Sequence, residues 1–149
     1  GGEVKARSTP HRHLRLEAAY SISHSQDTDS GRKLPYYPGS TLSFKALGKL
    51  PLSARWTGSL HVGLVAAFDR SAWNWKPSED APAGDPSGQT TELADYQNLS
   101  AGLNMTYKNR YRLYVNVTNI LGQDVENLDD VYTVIDGEPT VMGGLRCKW

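Results

Sequence analysis

The sequence predicts an all-β fold: an antiparallel meander of about seven strands, several of them near the length that crosses a membrane, as part of a larger β-barrel wall. Three observations predict it. Apolar and polar residues alternate with a period of two along most of the chain, the mark of a strand with two unlike environments. Stretches with apolar residues at i, i+3, i+4 and i+7 are nearly absent, so helices are not expected. The connections between alternating runs are short and long by turns, as in transmembrane barrels, whose turns are short on one side and loops long on the other.

The first alternating segment holds Val4 and Ala6 and breaks at Thr9-Pro10. It is short, so the first strand reads as truncated. Leu14, Leu16, Ala18, Tyr20 and Ile22 then form an apolar face opposite Arg15, Glu17, Ala19, Ser21 and Ser23. A polar stretch from Gln26 to Lys33 leads through Pro35 and Pro38 to the next strand, where Leu42, Phe44 and Ala46 alternate with Ser43 and Lys45. After Lys49-Leu50-Pro51 comes the longest run, with Trp56, Gly58, Leu60, Val62, Leu64, Ala66 and Phe68 on one face. Val65 and Ala67 blur its polar side. The segment from about Asp69 to Asp95 is acidic and holds three prolines, so it reads as a loop. Leu99, Ala101, Leu103, Met105 and Tyr107 form the next apolar face, and a tight break at Asn109-Arg110 precedes Tyr111, Leu113, Val115 and Val117. The connection from about Asn119 to Pro139 holds a short extra hairpin around Val131 to Ile135. The last strand sets Val141, Gly143, Leu145, Cys147 and Trp149 against Met142, Gly144, Arg146 and Lys148.

Counted back from Trp149, every short connection falls on the same side as that residue. Several runs approach the 9–11 residues that a tilted membrane-spanning strand needs. Tyr20, Phe44, Trp56, Phe68, Tyr107, Tyr111 and Trp149 read as strand-end aromatics, the material of an interfacial girdle. The core of an ordinary β-sandwich gathers aromatics too, so the connections carry more weight than the rings.

Composition narrows the function classes. The 149 residues carry 16 basic and 16 acidic side chains and four histidines, and 38% are apolar. Balanced charge gives no basic excess for nucleic acid. No stretch approaches the ~20 apolar residues of a membrane helix. A largely hydrophilic composition is ordinary for a barrel, whose strands are only half apolar and whose loops are polar. A single cysteine, Cys147, excludes an internal disulfide and a cysteine zinc cage. It reads as a small apolar strand residue rather than a redox group. The chain opens Gly1-Gly2-Glu3-Val4 with no initiator methionine or signal peptide, which predicts a processed chain or part of a longer one. Trp149 reads as a true end.

Chemical motifs are weak. His11-Arg12-His13 sets two imidazoles on one strand face, as a metal pair requires, but at a turn with no evident third ligand. Asp124, Glu126, Asp129 and Asp130 crowd one connection without the spacing of a calcium loop. Both read as solvated polar segments, and His24 and His61 stand isolated. No metal or cofactor is expected. Phosphate loops, nucleophile elbows and nucleophile–base pairs are missing, so the chain does not read as an enzyme.

Several segments together resemble the C-terminal part of TonB-dependent outer-membrane receptors. Tyr111 to Val117, with Thr118-Asn119-Ile120-Leu121, resembles that family's strand ending in V-x-N-L-F. The terminal Gly143-Gly144-Leu145-Arg146-Cys147-Lys148-Trp149 resembles its closing strand. Leu34-Pro35-Tyr36-Tyr37-Pro38 resembles its L-P-x-x-P, and Gly2-Glu3-Val4 its G-x-E-L segment. The order agrees over nearly all 149 residues, although Ile120-Leu121 replaces L-F and Cys147 replaces a frequent aromatic.

The resemblance implies that residues 1–149 are the C-terminal third or so of a 22-stranded barrel in the outer membrane of a Gram-negative bacterium. The plug domain and the TonB-binding segment would lie outside this chain. It implies energised uptake of a scarce nutrient, a ferric siderophore or similar chelate. Its implied partners are outer-membrane lipid, the remaining barrel and plug, the TonB complex, and the barrel-assembly machinery, which would read Gly144, Leu145 and Trp149. Trp73 and Trp75, at the start of the longest connection, are the candidate ligand-loop residues or else interface anchors. Arg15, Glu17, Lys45, Asn104, Arg112, Asn116 and Arg146 would line the interior. Two other readings stay open: a small outer-membrane barrel with an anchoring or porin-like role, and a soluble β-sandwich binding module.

Overall fold

The computed structural model describes residues 1–26, 28, 37–73, 90–129, 131–135 and 137–148. Their strands, in chain order, are β1 (Gly2–His11), β2 (Leu14–Ile22), β3 (Ser40–Pro51), β4 (Trp56–Phe68), β5 (Arg70–Trp73), β6 (Thr90–Leu93), β7 (Tyr96–Tyr107), β8 (Tyr111–Thr118), β9 (Val125–Asp129), β10 (Val131–Ile135) and β11 (Thr140–Cys147). No helix forms among the described residues. Seven strands make one sheet in the order β1-β2-β3-β4-β7-β8-β11, and β5-β6 and β9-β10 are separate hairpins. Every pairing is antiparallel.

The register aligns the alternating patterns across the whole sheet. Leu14, Gly48, Leu60, Leu103, Val115 and Gly143 form one row. The next residues along, Arg15, Leu47, His61, Gly102, Asn116 and Met142, form the neighbouring row on the opposite face. Successive residues of a strand point to opposite faces, so the sheet has one apolar and one mainly polar face. A one-residue slip would exchange them, so the burial pattern and the register specify each other.

All short connections lie on one rim. Arg12 and His13 join β1 to β2. Between β3 and β4, the Ser53 Oγ accepts from the backbone N–H groups of Arg55 and Trp56, both at 3.2 Å, a hydroxyl turn typical of serine. Between β7 and β8, Lys108 and Asn109 take φ values of 45° and 56°. There the Arg110 N–H donates to the Tyr107 carbonyl at 3.0 Å. Two successive left-handed residues make the mirror-image turn that matches strand twist. The three long connections, two of them carrying the small hairpins, lie on the other rim.

Three sequence expectations need correction. β1 pairs with β2 from Gly2 to His11. Pro10 does not break it, because the register shifts between Ser8 and His11; an edge strand tolerates proline at a bulge, where no ladder N–H is required. The Asp69–Asp95 connection is not all loop, since it contains β5 and β6. Phe44 is not a strand-end aromatic, for it pairs with Ala18 and Leu64 away from either rim. The hairpin expected near Val131 is present as β9-β10. The last strand ends at Cys147, and Trp149 lies outside the described residues.

Very little of the described part of this chain is buried against itself. Among the described residues the buried apolar side chains are Ala66, Ala67 and Leu93. Ala66 and Ala67 point to opposite faces, so both faces are covered near the long-connection rim. Elsewhere the apolar face is open: Val4 is 72% exposed, Val141 67% and Leu145 66%. Large exposed apolar surfaces are uncommon on soluble monomers and mark sites of contact.

Candidate functional site

The polar face is where this fold concentrates chemistry. Lys5, Arg7, Arg15, Lys45, Arg112 and Arg146 share it with the carboxylates Glu3 and Glu17, by the alternation of the paired strands. The Glu17 Oε1 serves two guanidiniums, at 3.1 Å from Arg7 Nε and 2.6 Å from Arg15 Nη2. Lys5 pairs with Glu3 at 2.9 Å. These pairs are solvent-exposed to varying degrees, so each contributes modestly to stability. Cations outnumber anions, and the face carries net positive charge.

Two hollows occupy it. The larger, about 820 Å³, is lined by Lys5, Arg7, Glu17, Lys45, His61 and Ser100 among others. The smaller, about 500 Å³, is lined by His61, Asn104, Arg112, Asn116 and Met142. His61 borders both. It stands opposite Gly102 in the β4–β7 register, and a Cβ on Gly102 would overlap the His61 ring and the Asn116 amide. Glycine lets these two side chains lie across the strand. Arg112 is fixed by donating to Asn104 Oδ1 from Nε at 3.2 Å and Nη2 at 2.7 Å. Ser100 Oγ donates to the Gly63 carbonyl at 3.2 Å.

The residues singled out in the sequence fall as follows. Arg15, Glu17, Lys45, Asn104, Arg112, Asn116 and Arg146 all lie on the polar face. Trp73 closes β5, its backbone opposite Thr90, and Trp75 lies outside the described residues. Gly144 is on the polar face, where an added Cβ would come within 2.5 Å of Tyr114 Oη. Leu145 is on the apolar face opposite Leu113, and Cys147 is exposed opposite Tyr111. The His11 and His13 rings approach to 5.3 Å, but no group of three potential metal ligands exists among the described residues. His13 is held below its ordinary pKa of 6.5, first by partial burial and then by the positive charges of Arg12, His11 and Lys49. In the acidic connection, Asp124 Oδ1 accepts the Gly137 N–H at 2.7 Å. That carboxylate braces the loop.

Sequence reasoning missed the role of Asn119. With φ 52°, it turns the chain out of β8, and its Nδ2 donates to the carbonyls of Gln123 at 3.0 Å and Gly137 at 2.7 Å. Its own N–H reaches Asn98 Oδ1 at 3.2 Å. The signal was present, since asparagine is among the few residues that enter the left-handed region readily. No protein-family model, curated protein or solved structure matches this chain.

Proposed function

We propose that this chain is wall of an outer-membrane β-barrel, and that the barrel is the C-terminal part of a TonB-dependent receptor. The single observation behind the membrane reading is the uncovered apolar face running unbroken across seven strands, with all short connections on one rim. At ~3.4 Å per residue and a tilt of about 45°, the run from Trp56 to Phe68 spans roughly 29 Å, against an apolar band of ~25 Å in known barrels. Tyr20 and Phe68 lie toward one end of that band. Trp56, Tyr107 and Tyr111 lie at the other, as girdles do.

The two edge strands support a larger barrel. Among the described residues β1 and β11 each leave one side of their ladder without a partner, and an edge in lipid must be closed by further strands. In this reading the polar face lines the interior, and its net positive charge fits an anionic cargo or an anionic filling domain. The receptor assignment rests on the sequence resemblance. It makes the activity uptake of a scarce nutrient as a chelate, driven by an energised inner membrane.

The test is uptake of radiolabelled ferric chelates by cells with and without the intact gene. Uptake that requires the gene and collapses when the proton-motive force is dissipated supports the receptor. Passage that persists in de-energised cells favours the porin-like alternative. Recovery of the protein in the aqueous fraction without detergent contradicts both.

A further inference from the structure

The acidic residues of this chain are unevenly distributed along the sequence. Fourteen of the 16 acidic residues lie in the three long connections, and the other two, Glu3 and Glu17, lie within strands. The short-connection rim has none. It carries Arg12, Lys49, Arg55, Lys108, Arg110 and Lys148, all exposed.

Four of these cations are side by side. The Lys108 N–H donates to the Arg55 carbonyl at 2.8 Å and the Lys148 N–H to the Arg110 carbonyl at 2.8 Å, so the ladder continues one step past the strands. Arg55 thus neighbours Lys108 and Arg110 neighbours Lys148 across adjacent strands. Like charges opposite one another destabilise a sheet, and no acidic side chain lies among them. Lys108 also occupies the left-handed region, which a lysine adopts at some cost and glycine or asparagine would fill freely. A counter-anion from outside the chain would offset the repulsion.

The neighbouring row indicates what carries that anion. Trp56, Tyr107, Tyr111 and Cys147 face one another in register on the apolar face. Each of the four cations is the next residue outward along its strand. The Lys108 ammonium lies 5.5 Å from the centre of the Tyr107 ring, so this charge turns toward the apolar side. On the membrane reading above, on which this inference rests, the aromatic row marks the level where acyl chains meet headgroups. We propose that the short-connection rim binds the headgroups of anionic phospholipids in the leaflet it meets, through Arg55, Lys108, Arg110 and Lys148.

The test reconstitutes the complete polypeptide into vesicles of phosphatidylcholine, or of phosphatidylcholine with one lipid in four replaced by phosphatidylglycerol. Association of spin-labelled phosphatidylglycerol and phosphatidylcholine is compared in each. The expected result is preference for phosphatidylglycerol, falling by roughly five-fold for each cation removed when they contribute independently. It is nearly lost in Arg55→Gln/Lys108→Gln/Arg110→Gln/Lys148→Gln, and weakened by high salt in the unaltered protein. Because the salt arm needs no variant, a quadruple substitution that misfolds leaves the proposal testable. Equal association of the two lipids, or a preference that ignores salt, overturns the lipid site while leaving the barrel wall intact. Failure to enter either vesicle overturns the membrane reading and this inference with it.

Discussion

Trp56 and Tyr107 face each other across β4 and β7 with their ring centroids 4.8 Å apart and their planes tilted by 42°. Tyr111 extends the row, its ring 6.4 Å from that of Tyr107. The contact closes the apolar face at the short-connection rim. Tilted aromatic pairs at this distance contribute about 0.5–1.5 kcal/mol beyond the area they cover. A double-mutant cycle with Trp56→Ala and Tyr107→Ala, read by reversible unfolding in lipid vesicles, is expected to return a coupling of about that size. Additive losses would show that the rings sit side by side without cooperating.

Gly144 makes room for Tyr114. An added Cβ would come within 2.5 Å of Tyr114 Oη and 2.7 Å of Cζ, so Gly144→Val must displace that ring. The expected loss is about 1–3 kcal/mol, the usual scale for overpacking. Adding Tyr114→Ala should recover much of it, and an unchanged loss in the double variant would place the strain in the backbone instead.

Asn119 ties the start of the last long connection to its end. Asn119→Ala removes two hydrogen bonds and puts a less suitable residue at φ 52°. We expect a loss of about 1–3 kcal/mol from carbonyls left unpaired and faster amide exchange at Gly137 and Gln97. The Gln97 N–H is included because it donates to the Gln123 side chain at 2.7 Å. Exchange unchanged at both amides would show that Asn119 does not organise this rim.

His13 should titrate below 6.5, because partial burial, then Arg12, His11 and Lys49, disfavour its charged form. The sign follows from linkage. The unfolded chain binds this proton more tightly, so stability is complete above pH 6.5 and declines as pH falls through the lower folded value. The His13 ring proton followed by NMR should show a depressed midpoint, and Arg12→Gln should raise it. A midpoint at 6.5 in both forms contradicts the environment described.

The strands were legible in the sequence because alternation reports two unlike environments directly. Leu60, Val62 and Leu64 against Ser59, His61 and Gly63 needed no further information. The β5–β6 hairpin was hidden because Arg70 to Trp73 and Thr90 to Leu93 are four-residue strands, too short for a period to emerge beside prolines and acids. Pro10 misled because its effect depends on local register, and it falls where the β1–β2 ladder shifts and no N–H is required. The polar face could be foreseen residue by residue. The approach of His61 and Asn116 over Gly102 could not, since it depends on register between residues 41 and 14 positions away along the chain.

Whether the apolar face meets lipid can be read from spin labels at Leu103 and Asn104, each introduced as a single cysteine in a Cys147→Ser background. The two residues are adjacent in β7 and belong to opposite faces. In reconstituted protein the label at 103 should be reached by membrane-dissolved oxygen and shielded from a water-soluble nickel chelate. The label at 104 should show the reverse, with the alternation continuing along β7. Equal access of the nickel chelate to both labels would mean that the apolar face meets no lipid, and that this sheet is not the wall of a membrane barrel.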